Sequence, residues 1–166
     1  MPAVPASTPA GLVLGREPYE GAGPRFVVAR ATEELTSRYG VLGPGEIGLR
    51  AAMFDPPAGA FLVARLPALP PPVGGVGLRR LGPWHGEVKR LWVDPDWRAR
   101  GVARALMDAL EDTARQLGLR TLELSTGFPQ PEAVALYQSS GWERLFVDAA
   151  GVPLADWHLR FAKRLD

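Results

Sequence analysis

The sequence predicts a mixed α/β or α+β fold, in which helices pack on one central sheet. Three observations support this prediction. The chain has 166 residues, which suits one hydrophobic core and is too short for two ordinary domains and a linker. Apolar residues make up 46% and charged residues 22%, as in folded soluble proteins. Short apolar runs alternate with amphipathic helical patterns, so strands and helices are expected in mixed order.

The N-terminal segment is predicted to be a flexible leader. Residues 1–10 are small and Pro-rich, with little apolar surface to repay the entropy of ordering. We therefore expect one folded domain over residues 11–166. The start lacks the basic and apolar regions of a secretory signal, and no run of about 18 apolar residues occurs, so a soluble, cytoplasmic protein is expected.

The first elements are a short strand and a helix. Leu12, Val13 and Leu14 are typical of a strand. Residues 25–39 are ambiguous, because the run Phe-Val-Val at 26–28 favours a strand whereas other apolar residues repeat at helical spacing. We favour a helix that ends at Gly40, since glycine is the usual residue after a helix C-terminus.

The middle of the chain predicts a three-stranded meander. Residues 43–59 are interrupted by Gly and Pro and allow only a helical turn or two near residues 47–53. Three strands are then expected, at residues 61–66, 73–81 and 87–93. Pro95 ends the third strand because proline cannot continue the ladder.

The C-terminal half predicts two more helices and three more strands. The first helix starts at Ala103, carries apolar residues on one face, and ends at Gly118. The second helix begins at Gln130 or Pro131 and ends at Gly141. The strands are expected at residues 121–126, 142–147 and 157–163.

Composition excludes several classes of function. Nineteen basic and eighteen acidic side chains give a net charge of +1, so neither a nucleic acid nor a membrane surface is an expected partner. The chain has no Cys, which excludes disulfides, thiolate metal sites and a cysteine nucleophile. It has two His, so a dedicated metal centre is not expected.

The segment from Asp94 to Arg104 has the features of an anion-binding turn. A strand ends there, a turn rich in Arg and Gly follows, and the free N–H groups of the next helix point outward. Gly101 lacks a Cβ, which would permit close approach of a phosphate, while Arg98, Arg100 and Arg104 add positive charge. The same residues are also compatible with an Arg-rich loop before an ordinary helix.

Two motifs in order resemble one enzyme family. The strand-to-helix segment EVKRLWVDPDWRARGVARAL, followed by QPEAVALYQSSGW, is similar to bacterial members of the GNAT acetyltransferase superfamily. The strong part of the resemblance covers residues 86–142. It implies a mixed, mostly antiparallel sheet of about six to seven strands flanked by about four helices.

The resemblance also implies that the chain binds acetyl-coenzyme A. The pyrophosphate would lie on the main chain of the turn and first helical turn, and the pantetheine arm would pair with the preceding strand. Gln130 stands where the family usually has Asn, and its longer amide could contact the coenzyme. The residues implied in coenzyme binding are Leu91, Trp92, Val93, Arg98, Ala99, Arg100, Gly101, Val102, Ala103, Arg104 and Gln130.

Two residues match catalytic positions of the family. Glu87 matches a strand carboxylate that acts as general base on the acceptor amine in some members, although it could equally be an exposed carboxylate paired with Lys89 or an Arg. Tyr137 matches the tyrosine that protonates the departing thiolate, or it is simply a packed aromatic residue. His85 precedes the same strand and is expected to be solvated rather than to relay protons.

The implied function is N-acetyl transfer from acetyl-coenzyme A to a primary amine of a small molecule or peptide. The lack of Cys fits direct transfer in a ternary complex. The alternatives are a non-catalytic acyl-coenzyme A sensor and a nucleotide-phosphate binder of another fold. The acceptor would be shaped by residues 32–60 and 146–156, whose sequence does not identify it. Oligomeric state stays open, although homodimers are frequent in the family.

Overall fold

The computed structural model describes residues 8–40, 48–127 and 131–166. In this part of the chain, seven strands and three α-helices follow one another in mixed order, and two 3-10 turns lie at Ala51–Phe54 and Pro95–Trp97. The strands are β1 (Val13–Arg16), β2 (Gly59–Arg65), β3 (Gly74–Arg80), β4 (His85–Val93), β5 (Thr121–Gly127), β6 (Glu143–Leu145) and β7 (His158–Arg164). The helices are α1 (Ala22–Tyr39), α2 (Val102–Gln116) and α3 (Pro131–Ser139).

All seven strands form one sheet in the order β1-β2-β3-β4-β5-β7-β6. Every neighbouring pair is antiparallel except β4 and β5, which are parallel. The parallel pair requires a crossover, and α2 provides it. The mixed, mostly antiparallel sheet that the sequence predicted is therefore confirmed. The short helix expected near residues 47–53 is the 3-10 turn at Ala51–Phe54.

The ambiguous segment 25–39 is helical, and it begins three residues earlier than expected, at Ala22. Pro24 lies in the first turn, where its missing N–H costs nothing. Gly40 ends the helix with φ +78°, and its N–H donates to the carbonyl of Thr36. The apolar run at 26–28 is helical because Val27 is fully buried against the sheet.

The two faces of the sheet carry different helices. Side chains alternate across β2, so Phe61 and Val63 pack with α1, whereas Leu62 and Ala64 pack in the larger core on the opposite face. Helix α2 contributes Leu106, Met107 and Leu110 to that larger core, and α3 contributes Tyr137. Helices α2 and α3 therefore lie on one face of the sheet, and α1 lies on the other.

Candidate active site

Strands β4 and β5 separate shortly after they meet. Their parallel register covers three pairs, which are His85 with Thr121, Gly86 with Leu122 and Glu87 with Glu123. Strand β4 continues to Val93 and β5 to Gly127, so the C-terminal halves of the two strands share no ladder. A gap between two diverging strands can take an extended ligand that hydrogen-bonds to a strand edge as a neighbouring strand would.

A bulge in β4 accompanies this separation. On the β3 side the register steps from the pair Gly77–Lys89 to the pair Gly75–Trp92, so β4 carries one residue more than β3 over this stretch. Arg90 lies inside the bulge at φ +60°. A bulge bends its strand and increases the local twist, which turns the end of β4 away from β5.

The turn between β4 and α2 has a second strained residue. Ala99 has φ +58°, and Gly101, which precedes α2, has φ +80°. Ala99 and Arg90 are the two non-glycine residues at positive φ in the described ranges. Such backbone strain concentrates at functional sites. Here Arg90 lies in the half of β4 that no longer pairs with β5, and Ala99 lies in the turn that follows β4.

The N-terminus of α2 faces the same end of β4. The carbonyl of Gly101 accepts the first helical hydrogen bond, from Ala105 N–H at 3.0 Å. The N–H groups of Val102, Ala103 and Arg104 precede that bond and have no carbonyl of their own helix to bind. They add to the positive end of the dipole of a 15-residue helix, which gives the turn the electrostatics of an anion site.

The three arginines expected to add charge to this turn are each engaged elsewhere. Arg98 donates from Nε to the carbonyl of Val93 at 2.9 Å and from Nη2 to the carboxylate of Glu34 at 2.6 Å. The guanidinium of Arg100 lies over the ring of Trp97, 5.0 Å from its centroid. Arg104 donates to the hydroxyls of Ser139 and Ser140 at the end of α3.

Arg98 belongs to a chain of ion pairs that links α1, the turn and α3. Glu34 also pairs with Arg38 at 2.9 Å, and Arg38 pairs with Glu132 of α3 at 2.7 Å. Desolvation alone would raise the pKa of Glu132, but hydrogen bonds from its own main chain and from Arg38, and the charges of Arg38 and Arg98, lower it overall. The network fixes the β4 end of the gap relative to α3, which follows β5.

Tyr137 lies on α3, on the face of the sheet that α2 and α3 cover. It is almost fully buried, with 6% of its surface exposed. Its ring packs against Phe161, with centroids 5.5 Å apart, and against Trp142 at 6.0 Å. Burial raises the pKa of the phenol above its ordinary value of 10.0. The hydroxyl therefore keeps its proton to a higher pH than an exposed phenol does.

Glu87 occupies the last paired position before β4 and β5 diverge. Its Oε2 lies 3.2 Å from Arg79 Nη2 and its Oε1 lies 3.1 Å from Lys89 Nζ. The side chain is 14% exposed, so it is a largely buried ion-paired carboxylate and not an exposed one. Both partners named in the sequence reasoning, Lys89 and an arginine, are present.

A second carboxylate faces Glu87 across the parallel pair. Glu123 is the register partner of Glu87, and its Oε2 lies 2.9 Å from His85 Nε2 and 3.1 Å from Arg160 Nη2. The other ring nitrogen of His85 lies 2.7 Å from the hydroxyl of Thr121. The expectation that His85 is merely solvated is therefore wrong, because both of its ring nitrogens have protein partners.

A sequence model described as the Acetyltransferase (GNAT) family matches residues 26–142, from α1 to the turn after α3. The chain belongs to the GNAT acetyltransferase family. The protein named IAA acetyltransferase from Azospirillum brasilense is 36% identical over 117 residues, which are 69% of this chain and 76% of that protein.

This GNAT chain is also similar to a second named enzyme in sequence and to a solved structure in fold. Ribosomal protein bS18-alanine N-acetyltransferase from Escherichia coli K12 is 34% identical over 64 residues, which are 39% of this chain and less than half, 43%, of that enzyme. A GNAT family acetyltransferase from Elizabethkingia anophelis, solved with acetyl-CoA bound, shares the fold with a TM-score of 0.65 and 13% identity, covering 94% of this chain and 99% of that one.

The GNAT fold brings most of the sequence-predicted residues together. Leu91 to Val93 and Arg98 to Arg104 follow one another around the end of β4 and the start of α2. The side chain of Trp92 is buried against α1, where its ring meets Phe26 edge-on, so the main chain of this strand is what could face a ligand. Gln130 lies outside the described residues.

Sequence reasoning missed Glu123 and the partners of Arg98. Glu123 alternates with the buried residues Leu122 and Leu124, which marks it as facing away from the larger core. That signal was readable, but its juxtaposition with Glu87 depends on the strand register. Glu34 lies 64 positions before Arg98, and no sequence pattern pairs residues at that separation.

The described residues contain neither a cluster of three or more His, Asp or Glu side chains placed to hold a metal ion nor a helix long and apolar enough to cross a membrane. The metal finding applies to residues 8–40, 48–127 and 131–166.

Proposed function

We propose that this GNAT protein is an N-acetyltransferase that transfers the acetyl group of acetyl-coenzyme A to a primary amine of a small molecule or peptide. The observation that carries the proposal is the divergence of β4 and β5 after Glu87, with α2 starting shortly after β4 ends and Tyr137 buried in the same core as Val93 and Leu124. The E. coli relative, whose name specifies an alanine N-acetyltransferase, supports an amine acceptor.

The chain offers a suitable surface for the coenzyme. The free N–H groups of Val102 to Arg104 and the turn at Ala99 to Gly101 would hold the pyrophosphate, as helix N-termini hold anions elsewhere. The main chain of Leu91 to Val93 would hydrogen-bond to the pantetheine arm, and the amide of Gln130 is a further candidate contact. Arg98 would act by positioning the turn through Val93 and Glu34.

The coenzyme supplies a thioester whose carbonyl carbon is open to attack by a neutral amine. Glu87 would accept the proton that the amine loses, directly or through a water molecule. Tyr137 would give its proton to the departing sulfur, so the carbon–nitrogen bond forms as the carbon–sulfur bond breaks and free thiol leaves. The phenol of Tyr137 carries that proton at neutral pH, because its pKa lies above 10.0.

The acceptor would enter near α1 and the hairpin between β6 and β7. The hairpin exposes apolar side chains, including Phe146 at 66% and Val152 at 55% of their surface, which fits an acceptor with an apolar part.

We also infer a cytoplasmic location, where acetyl-coenzyme A is made. Dimer formation, frequent in the family, would be tested by light scattering.

Thiol release from acetyl-coenzyme A, measured across a library of amines, tests the proposal. The chain has no Cys, so the protein contributes no thiol to the signal. We expect release that depends on both the enzyme and the amine, and calorimetric binding of coenzyme A that ATP does not displace. Binding without release for any amine would support the sensor alternative, and displacement by ATP would support a nucleotide-phosphate binder.

A further inference from the structure

Two buried polar side chains, those of Thr126 and Trp142, have no hydrogen-bond partner among the described residues. The unpaired atoms are the hydroxyl of Thr126 and the indole N–H of Trp142. Both are shielded from solvent, and the two residues are only 7% and 4% exposed. A buried polar group without a partner is costly, and native structures retain few of them. A ligand that reaches such a group can provide the missing partner.

Thr126 lies in the half of β5 that has left β4. The last β4–β5 pair involves Glu123, and Thr126 is three residues further along the strand. Its side chain is on the same face as Leu124, because residues two apart share a face of a strand. That face is the one covered by α2 and α3, so the hydroxyl of Thr126 lies on the helix-covered side of the half of β5 that no longer pairs with β4.

Tyr137 covers the neighbouring part of the same face. Its ring contacts Phe161, which is the register partner of Leu124, while Thr126 pairs with Leu159. Thr126 is thus two residues, or about 7 Å, further along β5 than Leu124, whose register partner Phe161 contacts Tyr137. The unpaired hydroxyl and the proposed proton donor therefore lie on the same face of the sheet, and Trp142 packs against Tyr137 there.

We propose that Thr126 is a coenzyme-binding residue whose hydroxyl hydrogen-bonds to an amide of the pantetheine arm where that arm passes between β4 and β5. This inference rests on the proposed function. The arm carries neutral amide groups, each with one donor and one acceptor, and a hydroxyl can pair with either. The assignment gives a partner to a buried hydroxyl that has none among the described residues.

Thr126→Val tests the proposal because it removes the hydroxyl and keeps the shape. One neutral hydrogen bond corresponds to a fall of about 3- to 10-fold in affinity for coenzyme A, measured by calorimetry. The melting temperature of the ligand-free protein should stay the same or rise, since the variant no longer buries an unpaired hydroxyl. A purely structural role for Thr126 would not combine weaker binding with unchanged or higher stability.

Thr113→Val is the matched control. Thr113 is also buried, at 4% exposure, but its hydroxyl donates to the carbonyl of Ala109 inside α2. We expect this variant to bind coenzyme A like the wild type. Thr126→Ser, which restores the hydroxyl without the methyl group, should recover most of the affinity that Thr126→Val loses.

A shortened ligand locates the contact. Adenosine 3′,5′-diphosphate has phosphates but no pantetheine arm, so Thr126→Val should bind it as tightly as the wild type does. Equal affinity of the wild type and Thr126→Val for coenzyme A would overturn this inference while leaving the proposed function intact. Equal loss for both ligands would also overturn it, and failure of the wild type to bind coenzyme A would overturn the proposed function itself.

Discussion

Replacing Gly101 by Ala should weaken coenzyme binding far more than it destabilises the fold. Gly101 has φ +80° and immediately precedes α2. An alanine there would adopt a left-handed conformation at a cost of about 1–2 kcal/mol, and about 0.4–1 kcal/mol of this is offset by the lower entropy of the unfolded chain. The net loss, about 0.5–1.5 kcal/mol, corresponds to about 1–6 °C in melting temperature for a chain of this size.

The expected loss of affinity is larger because Gly101 belongs to the turn that would hold the phosphate under the proposed function. Hydrogen bonds to a charged group are worth about 1.5–3 kcal/mol each. Disturbing one of them lowers affinity about 10- to 100-fold. Calorimetric titration with coenzyme A measures this loss, and thermal unfolding without ligand measures the strain separately.

Gly118→Ala is the matched control for backbone strain. Gly118 follows the other end of α2, has φ +78°, and an added Cβ would meet nothing within 4 Å. The two variants should therefore lower the melting temperature by similar amounts, while coenzyme affinity falls in Gly101→Ala alone. If Gly101→Ala also binds coenzyme A like the wild type, the phosphate site has been assigned to the wrong turn.

Three further variants, the last with a control, test the remaining roles. Tyr137→Phe should lower the maximal rate about 10²-fold or more without changing coenzyme affinity. Burial raises the pKa of Tyr137, so above pH 10.0 only the unfolded chain loses this proton. The free energy of unfolding should therefore decrease as the pH rises above 10.0, and this decrease should be smaller in Tyr137→Phe. Full turnover in Tyr137→Phe would assign it to packing alone. Glu87→Gln should slow transfer most near neutral pH and less at higher pH, where the acceptor amine is already deprotonated; an unchanged pH–rate profile would assign the base elsewhere. Arg98→Ala should lower the melting temperature by about 2–4 °C, equivalent to about 1 kcal/mol, because it breaks the contacts to Val93 and Glu34, whereas exposed Arg100→Ala should not. Equal melting temperatures for these two variants would contradict a positioning role for Arg98.

The sequence was sufficient for features that depend on local patterns. The apolar periodicity of α2 and the glycines that end α1 and α2 act within a few residues, so those helices could be predicted without tertiary information. The start of α1 was missed because Gly23 and Pro24, which lie in its first turn, are residue types that rarely continue a helix. The strand-to-helix turn was also recognisable, since Arg, Gly and the amphipathic helix follow one another directly.

Tertiary structure decided what the charged side chains do. Arg98 was expected to serve a phosphate, but its guanidinium binds Glu34, a residue of α1 that reaches the turn only through helix packing on the sheet. His85 acquires its partners from β5, and Glu123 faces Glu87 only because β4 and β5 are parallel in one register. A charge pattern cannot show these pairings, because each depends on distant elements meeting.

The sequence by itself therefore determined the elements, their order and the residue types at the turn before α2. The tertiary structure determined the gap between β4 and β5, since the gap follows from a bulge and from pairing that stops at Glu87. It also determined that Tyr137 is buried and that the hydroxyl of Thr126 has no hydrogen-bond partner within residues 8–40, 48–127 and 131–166. Helix and turn propensities act between near neighbours, whereas burial and strand register are fixed only when residues far apart in the chain compete for the same space.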